Sequence, residues 1–247
     1  MIFILLSFFS APLEGTADLF LGYYPTRDTL FNVDVSIKAR SYLIRIKEDI
    51  DFFAQYSSYL EMAEQKGKVV FDPSFTTHSI ILGFQYMKTF YYSFFLDHWC
   101  RHLIDRELEE GKVVFNALNF EFSNVKDPTR NFSEDYYFSG CYLFYPQGII
   151  VDWLNSKPYY RHRFMLSAGK KINSVSRAGI ELEYTLSNDV PKQTYYTICP
   201  GIDFFKQNES GTLYSFFKYY LKAKGSLRSA EQKLFFGIGY TFNSPCK

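Results

Sequence analysis

Close to its C-terminus the chain reads Lys233-Leu-Phe-Phe-Gly-Ile-Gly-Tyr-Thr-Phe242. Leu234, Phe236, Ile238, Tyr240 and Phe242 fall on one face, and Lys233, Phe235, Gly237, Gly239 and Thr241 on the other. A period of two is the signature of an extended strand, here with one apolar face and one mostly small or polar face. Such a strand must cover its apolar face, either with a protein core or with lipid.

Composition favours lipid, although a soluble lipocalin-like cup predicts the same alternation and stays the structural runner-up. The chain has 247 residues with 27 Phe and 21 Tyr, yet its mean hydropathy is only −0.17. A transmembrane barrel combines these properties, because each strand shows one face to lipid and the other to a polar lumen, with aromatic girdles at both interfaces. The formal net charge of +1 and the lack of a basic stripe exclude a dedicated nucleic-acid binder. No later run of about 18 apolar residues is free of charge, so transmembrane helices are not expected.

Twelve segments read as strands: 18–24, 30–43, 51–62, 75–86, 90–103, 112–122, 135–145, 159–171, 175–186, 193–205, 212–223 and 233–242. All but the first reach the roughly 9–11 residues that a tilted strand needs to cross a bilayer. Residues 151–154 are left in a loop, which keeps the count even and both termini at one end. A C-terminal strand ending in an aromatic resembles the closing strand of bacterial outer-membrane β-barrels, although residues 243–247 follow Phe242 here. The resemblance implies an all-β, antiparallel up-and-down transmembrane barrel of about twelve strands in the bacterial outer membrane. It also implies outer-membrane lipids and the barrel-assembly machinery as partners, and no nucleic acid.

Residues 1–17 read as a signal peptide, with an apolar run over 1–9 and a small-x-small site at Gly15-Thr-Ala17; residues 18–247 then form one barrel domain. Working back from Phe242, the connections 207–211, 172–174, 124–134, 87–89 and 47–49 are periplasmic. Those at 25–29, 63–74, 105–111, 146–158, 187–192 and 224–231 are extracellular. Longer extracellular connections are the rule in such barrels, and 124–134 is too long for a periplasmic turn. The four cysteines, Cys100, Cys141, Cys199 and Cys246, show no zinc-finger spacing, and no disulfide is expected.

Two constellations carry chemistry. The first lies in Leu96-Asp-His-Trp-Cys-Arg-His-Leu-Ile-Asp105. His98, Cys100 and His102 alternate onto the outward face, while Asp97, Trp99 and Arg101 point inward. His78 stands outward on the preceding strand. A three-residue loop pairs Tyr86 with Phe90 and His78 with His98; a slip of two pairs His78 with Cys100. Directly opposed side chains have Cβ atoms about 4.5–5.5 Å apart, so these residues can cluster.

Three readings stay open for this cluster. Imidazoles at an interface girdle need no chemistry. His98 and His102, with a cross-strand His and a Cys, are N/S ligands suited to Zn²⁺ or Cu, though no fourth ligand is evident. Cys100 with His98 or His78 supplies the nucleophile and base of a lipid hydrolase, with no orienting carboxylate on that face. Outer-membrane phospholipases and lipid A deacylases are barrels that use Ser and His at the lipid-facing wall. The chain lacks their His-x-Ser arrangement and is assigned to neither. His162 falls at a strand end away from the cluster and reads as a rim residue.

The second constellation is the lumen, where Arg163, Glu181, Glu183, Arg177 and Lys218 face inward and Arg163 is expected opposite Glu183. Mixed charges of this kind either fill a narrow barrel with ion pairs or line a small pore. The passive reading, a structural barrel or narrow porin-like channel, therefore stands first. The lipid hydrolase or metal site at His78, His98, Cys100 and His102 is the alternative.

Overall fold

The computed structural model describes residues 9–10, 14–25, 32–46, 49–63, 72–104, 113–126, 132, 134–146, 160–188, 191–224 and 230–244. Twelve long strands follow one another: β1 (Glu14–Tyr23), β2 (Val33–Ile46), β3 (Ile50–Ala63), β4 (Asp72–Met87), β5 (Tyr91–Leu103), β6 (Val113–Ser123), β7 (Tyr136–Phe144), β8 (Tyr160–Asn173), β9 (Ser176–Ser187), β10 (Thr194–Asn208), β11 (Gly211–Tyr220) and β12 (Lys233–Ser244). Each pairs antiparallel with its sequence neighbours, and β12 pairs with β1 to close the ring. Closure leaves no long strand with an unpaired edge, the condition for placing a sheet in lipid.

Alternation sets the two surfaces. On β5, Phe94 is 54% exposed while its neighbour Phe95 is 6% exposed. On β4, Ile80 is 52% exposed and Ile81 is 7% exposed. Leu21, Ile37, Leu82, Leu166 and Ile238 continue the exposed apolar belt around the wall. Large exposed aliphatics on every side suit contact with hydrocarbon rather than water.

The short connections 47–49, 88–90, 174–175 and 209–210 lie at one end, with the start of β1 and the end of β12, and the long connection 124–135 between β6 and β7 lies at that same end. Strand boundaries differ from the sequence reading in informative places. β12 runs past Phe242, because Asn243 and Ser244 still pair with Thr16 and Gly15. β1 begins at Glu14, so residues 14–17 pair with β2 and β12. β11 breaks at Leu221, and the short strand Lys222–Lys224 then continues alongside β10. Of the expected leader, 1–8 and 11–13 lie outside the described residues, as do 151–154 and Cys246. Cys100, Cys141 and Cys199 are not in disulfides.

The interior is packed along most of its length. Tyr24, Phe132, Phe205, Tyr214, Phe216 and Phe235 form an aromatic column against β1 and β10–β12. Two glycines of β12 make room for it: a Cβ on Gly239 would strike the Tyr214 hydroxyl, and one on Gly237 the Phe216 ring. Tyr42, Phe53, Ile81 and Phe95 fill the opposite side.

The connection between β6 and β7 is too long for a simple turn, and described residues of it are buried in the barrel. Val125 and Phe132 are each 2% exposed. Phe132 stacks on Phe205 at 4.7 Å, and the Arg177 guanidinium lies 4.5 Å from the Phe132 ring centre. Lys126 Nζ reaches Glu14 Oε2 at 2.5 Å and Asp51 Oδ2 at 3.8 Å.

Candidate active site on the lipid-facing wall

The β4/β5 hairpin sets the first site. Its turn is Lys88–Phe90, where the Lys88 N–H donates to the Phe90 carbonyl at 3.1 Å. Met87 therefore pairs with Tyr91, and the register carries His78 opposite Cys100 and Ile80 opposite His98. Of the two expected registers this is the slipped one. It follows because β4 runs on through Met87, so the three-residue turn is 88–90 and not 87–89.

His78, His98, Cys100 and His102 all face outward toward the long-connection half of the wall. His78 Nδ1 lies 2.9 Å from the Tyr56 hydroxyl and Nε2 lies 3.2 Å from the Thr76 hydroxyl. Both of its ring nitrogens are thus engaged on its own side. The His78 and His102 ring centres are 6.3 Å apart. Among the described residues, no group of three or more His, Cys, Asp or Glu side chains is placed to hold a metal ion.

His98 is held differently. β5 and β6 pair His98 with Asn116, and His98 Nδ1 lies 2.7 Å from Asn116 Oδ1. A carbonyl oxygen only accepts, so Nδ1 carries the proton and Nε2 is the basic nitrogen. Cys100 sits two residues along the same face, about 6.6–6.8 Å away along the strand. The thiol, the imidazole and the amide that orients the imidazole thus share the outward face of β5 and β6. Asn116 was not among the residues picked out from the sequence. Its signal was present, as a polar residue at an outward position between Val114 and Leu118. The long connection 104–112 hid which β5 residue it meets.

His162 does not join this group. Its Nδ1 lies 2.8 Å from the Tyr142 hydroxyl, and its ring packs on Tyr142 and Phe144.

The lumen charges point inward as expected and pair with one another. Arg163 Nη2 lies 2.8 Å from Glu183 Oε2, Arg177 Nη2 2.8 Å from Asp203 Oδ2, and Lys218 Nζ 2.6 Å from Glu181 Oε1. The Arg163 pair is diagonal, not direct: in register, Arg163 faces Thr185 and Glu183 faces Met165. The cause is the turn. Asn173 Oδ1 accepts from the Val175 N–H and the Ser176 hydroxyl, each at 2.9 Å. Asn173 thereby pairs with Ser176 and shifts the ladder by two relative to a turn over 172–174.

No protein-family model matches the chain, and no curated protein matches it. Solved structures do. The outer membrane phospholipase dimer of Salmonella typhi with bound calcium aligns with a TM-score of 0.58 at 10% identity, covering 93% of this chain and 90% of that one. An Escherichia coli outer membrane phospholipase A carrying an asparagine-to-alanine active-site mutation aligns with a TM-score of 0.57 at 9% identity, over 95% and 91%. The NanC porin aligns with a TM-score of 0.53 at 10% identity, over 92% and 98%. By fold, the chain is a twelve-stranded transmembrane β-barrel of the kind that occupies bacterial outer membranes.

Proposed function

We propose that this barrel is an acyl hydrolase acting on membrane lipid at its outer wall. The observation that carries the reading is the His98–Asn116 hydrogen bond beside Cys100 on a surface that faces hydrocarbon. Polar residues on such a surface are costly unless they serve a purpose. Cys with His and an orienting Asn is an established nucleophile-base-orienter set on unrelated folds. The likeness to outer membrane phospholipases, one of them with an active-site asparagine, supports the same direction.

In this reading Asn116 holds the His98 ring so that Nε2 takes the Cys100 thiol proton. The thiolate adds to a lipid ester carbonyl, and a thioester forms as the ester C–O bond breaks. His98 returns its proton to the departing alkoxide. Water, deprotonated by His98, then cleaves the thioester, releasing fatty acid and restoring the thiol. His78 is the weaker candidate for the base, because Tyr56 and Thr76 already engage both of its nitrogens.

The passive reading, a narrow channel, rests on the inward charges. It is less favoured because those charges pair with one another and aromatic side chains occupy the interior beside them.

The test is fatty-acid release from phospholipid in mixed micelles. The folded barrel is expected to release fatty acid, Cys100→Ala and His98→Ala to abolish release, and Asn116→Ala to lower it at least about tenfold. Absence of release, or release that survives Cys100→Ala, overturns the hydrolase. Steady conductance in a planar bilayer, unchanged in Cys100→Ala, would favour the channel instead.

A further inference from the structure

The outer wall carries a groove of about 260 Å³ over β10–β12, near the short-turn end. Val175, Phe204, Leu213 and Ile238 line it, with Ser215 among them and Lys206 at one margin. On the ring of twelve, β11 lies six strands from β5, so the groove is on the opposite side of the barrel from Cys100. It takes no part in the chemistry above.

Register builds the groove. Phe204 pairs with Ser215, and Ser215 pairs with Ile238, so three outward side chains form one row across three strands. The outer two are large and exposed, while the middle one is small. Opposed side chains stand about 4.5–5.5 Å apart, so two tall walls flank a low floor. Beyond the row, Phe204 meets Phe217 edge-on at 6.3 Å, and Phe217 stacks on Phe236 at 5.8 Å. Apolar rings thus continue the surface toward the middle of the wall.

The next outward row toward the turn pairs Lys206 with Leu213. Lys206 is exposed and stands two residues before Asn208, which pairs with Gly211 at the turn. A lysine so close to the end of a lipid-facing strand lays its stem on apolar surface and lifts its ammonium to the headgroup level. Lys206 forms no ion pair among the described residues. One cation at the water edge, with an apolar groove leading away from it, is the complement of an amphiphile with an anionic head. A free anion would leave the groove empty, and an uncharged hydrocarbon would leave Lys206 unmatched.

We propose that this groove holds one anionic phospholipid, with the upper part of an acyl chain seated over Ser215 and the phosphate at Lys206. Ser215 and Leu213 are two residues apart, about 6.6–6.8 Å along the strand, and in a phospholipid the phosphate likewise lies close to the start of the chains. Walls on both sides give the chain more contact than a flat surface does, and the phosphate takes a charge-assisted bond from Lys206.

Native mass spectrometry of the folded barrel in detergent tests this with dioleoylphosphatidylglycerol and dioleoylphosphatidylcholine. One phosphatidylglycerol should stay bound as the remaining lipid is stripped, retained about fivefold over phosphatidylcholine, the scale for one lysine beside an anionic headgroup. Lys206→Gln should erase that preference and leave phosphatidylcholine retention unchanged. Ser215→Leu fills the floor and should lower retention of both lipids about tenfold. Both substitutions are on the outer wall, and each variant is first checked for retained heat-modifiable migration. Excess inorganic phosphate, which has no chain, should not displace the lipid. Loss of all lipid together, equal retention of the two headgroups, displacement by phosphate, or indifference to Ser215→Leu overturns the proposal.

Discussion

Arg101 and Glu61 meet inside the barrel through two hydrogen bonds, with their side chains 6% and 11% exposed. They come from β5 and β3, so the pair spans β4 and braces the wall behind the His98–Cys100 face. Removing one partner leaves the other charge buried and uncompensated. Glu61→Ala is expected to lower the stability of the barrel by about 3–5 kcal/mol, and the double variant Glu61→Leu/Arg101→Met to recover most of it. Urea unfolding with the barrel partitioned into lipid vesicles measures both.

Leu182 faces lipid and Glu181 faces the lumen, one residue apart on β9. Leu182→Arg should cost about 2–4 kcal/mol near the bilayer midplane. Glu181→Gln removes the negative charge from a 2.6 Å contact with Lys218 whose carboxylate side is half exposed, and should cost under about 1 kcal/mol. The same unfolding measurement compares them, and equal costs would show that the two faces are misassigned.

Register can be read chemically. Because His78 stands opposite Cys100, His78→Cys should crosslink to Cys100 under mild oxidation. A disulfide needs Cβ atoms about 3.5–4.5 Å apart, which adjacent opposed strand positions approach and diagonal ones do not. His78→Cys combined with His98→Cys and Cys100→Ala should stay reduced. Mass spectrometry of non-reduced peptides distinguishes the outcomes.

A closed ring with every strand paired holds against detergent until its whole ladder is melted. The unboiled protein should therefore run faster on an SDS gel than the boiled one. Identical mobility before and after boiling would argue against closure between β1 and β12.

Much of this fold was legible because alternation is a local signal. Val175 to Leu186 announces its two faces without reference to any partner, and the same holds for the run ending at Phe242. Register is not local, and that is where the sequence reading went astray. The offset of Arg163 from Glu183 depends on how Asn173 caps its turn, and the choice between His98 and Cys100 as partner of His78 depends on one hydrogen bond at Lys88. Asn116 was illegible as part of a site for the same reason: the connection before β6 is long, so nothing in the sequence says which β5 residue it meets.

The inward fold of the β6–β7 connection has a kinetic consequence. Lys126 meets Glu14 across 112 positions of sequence, and Phe132 rests on side chains of β10 and β11 that are made much later in the chain. The contacts of Phe132 cannot exist before β10 and β11 are in place. Contacts of such long range reward the chain only after the loop-closure entropy has been spent. The segment should therefore settle last, after the seam between first and last strand has zipped, and its burial marks the moment at which an inserting barrel becomes a finished one.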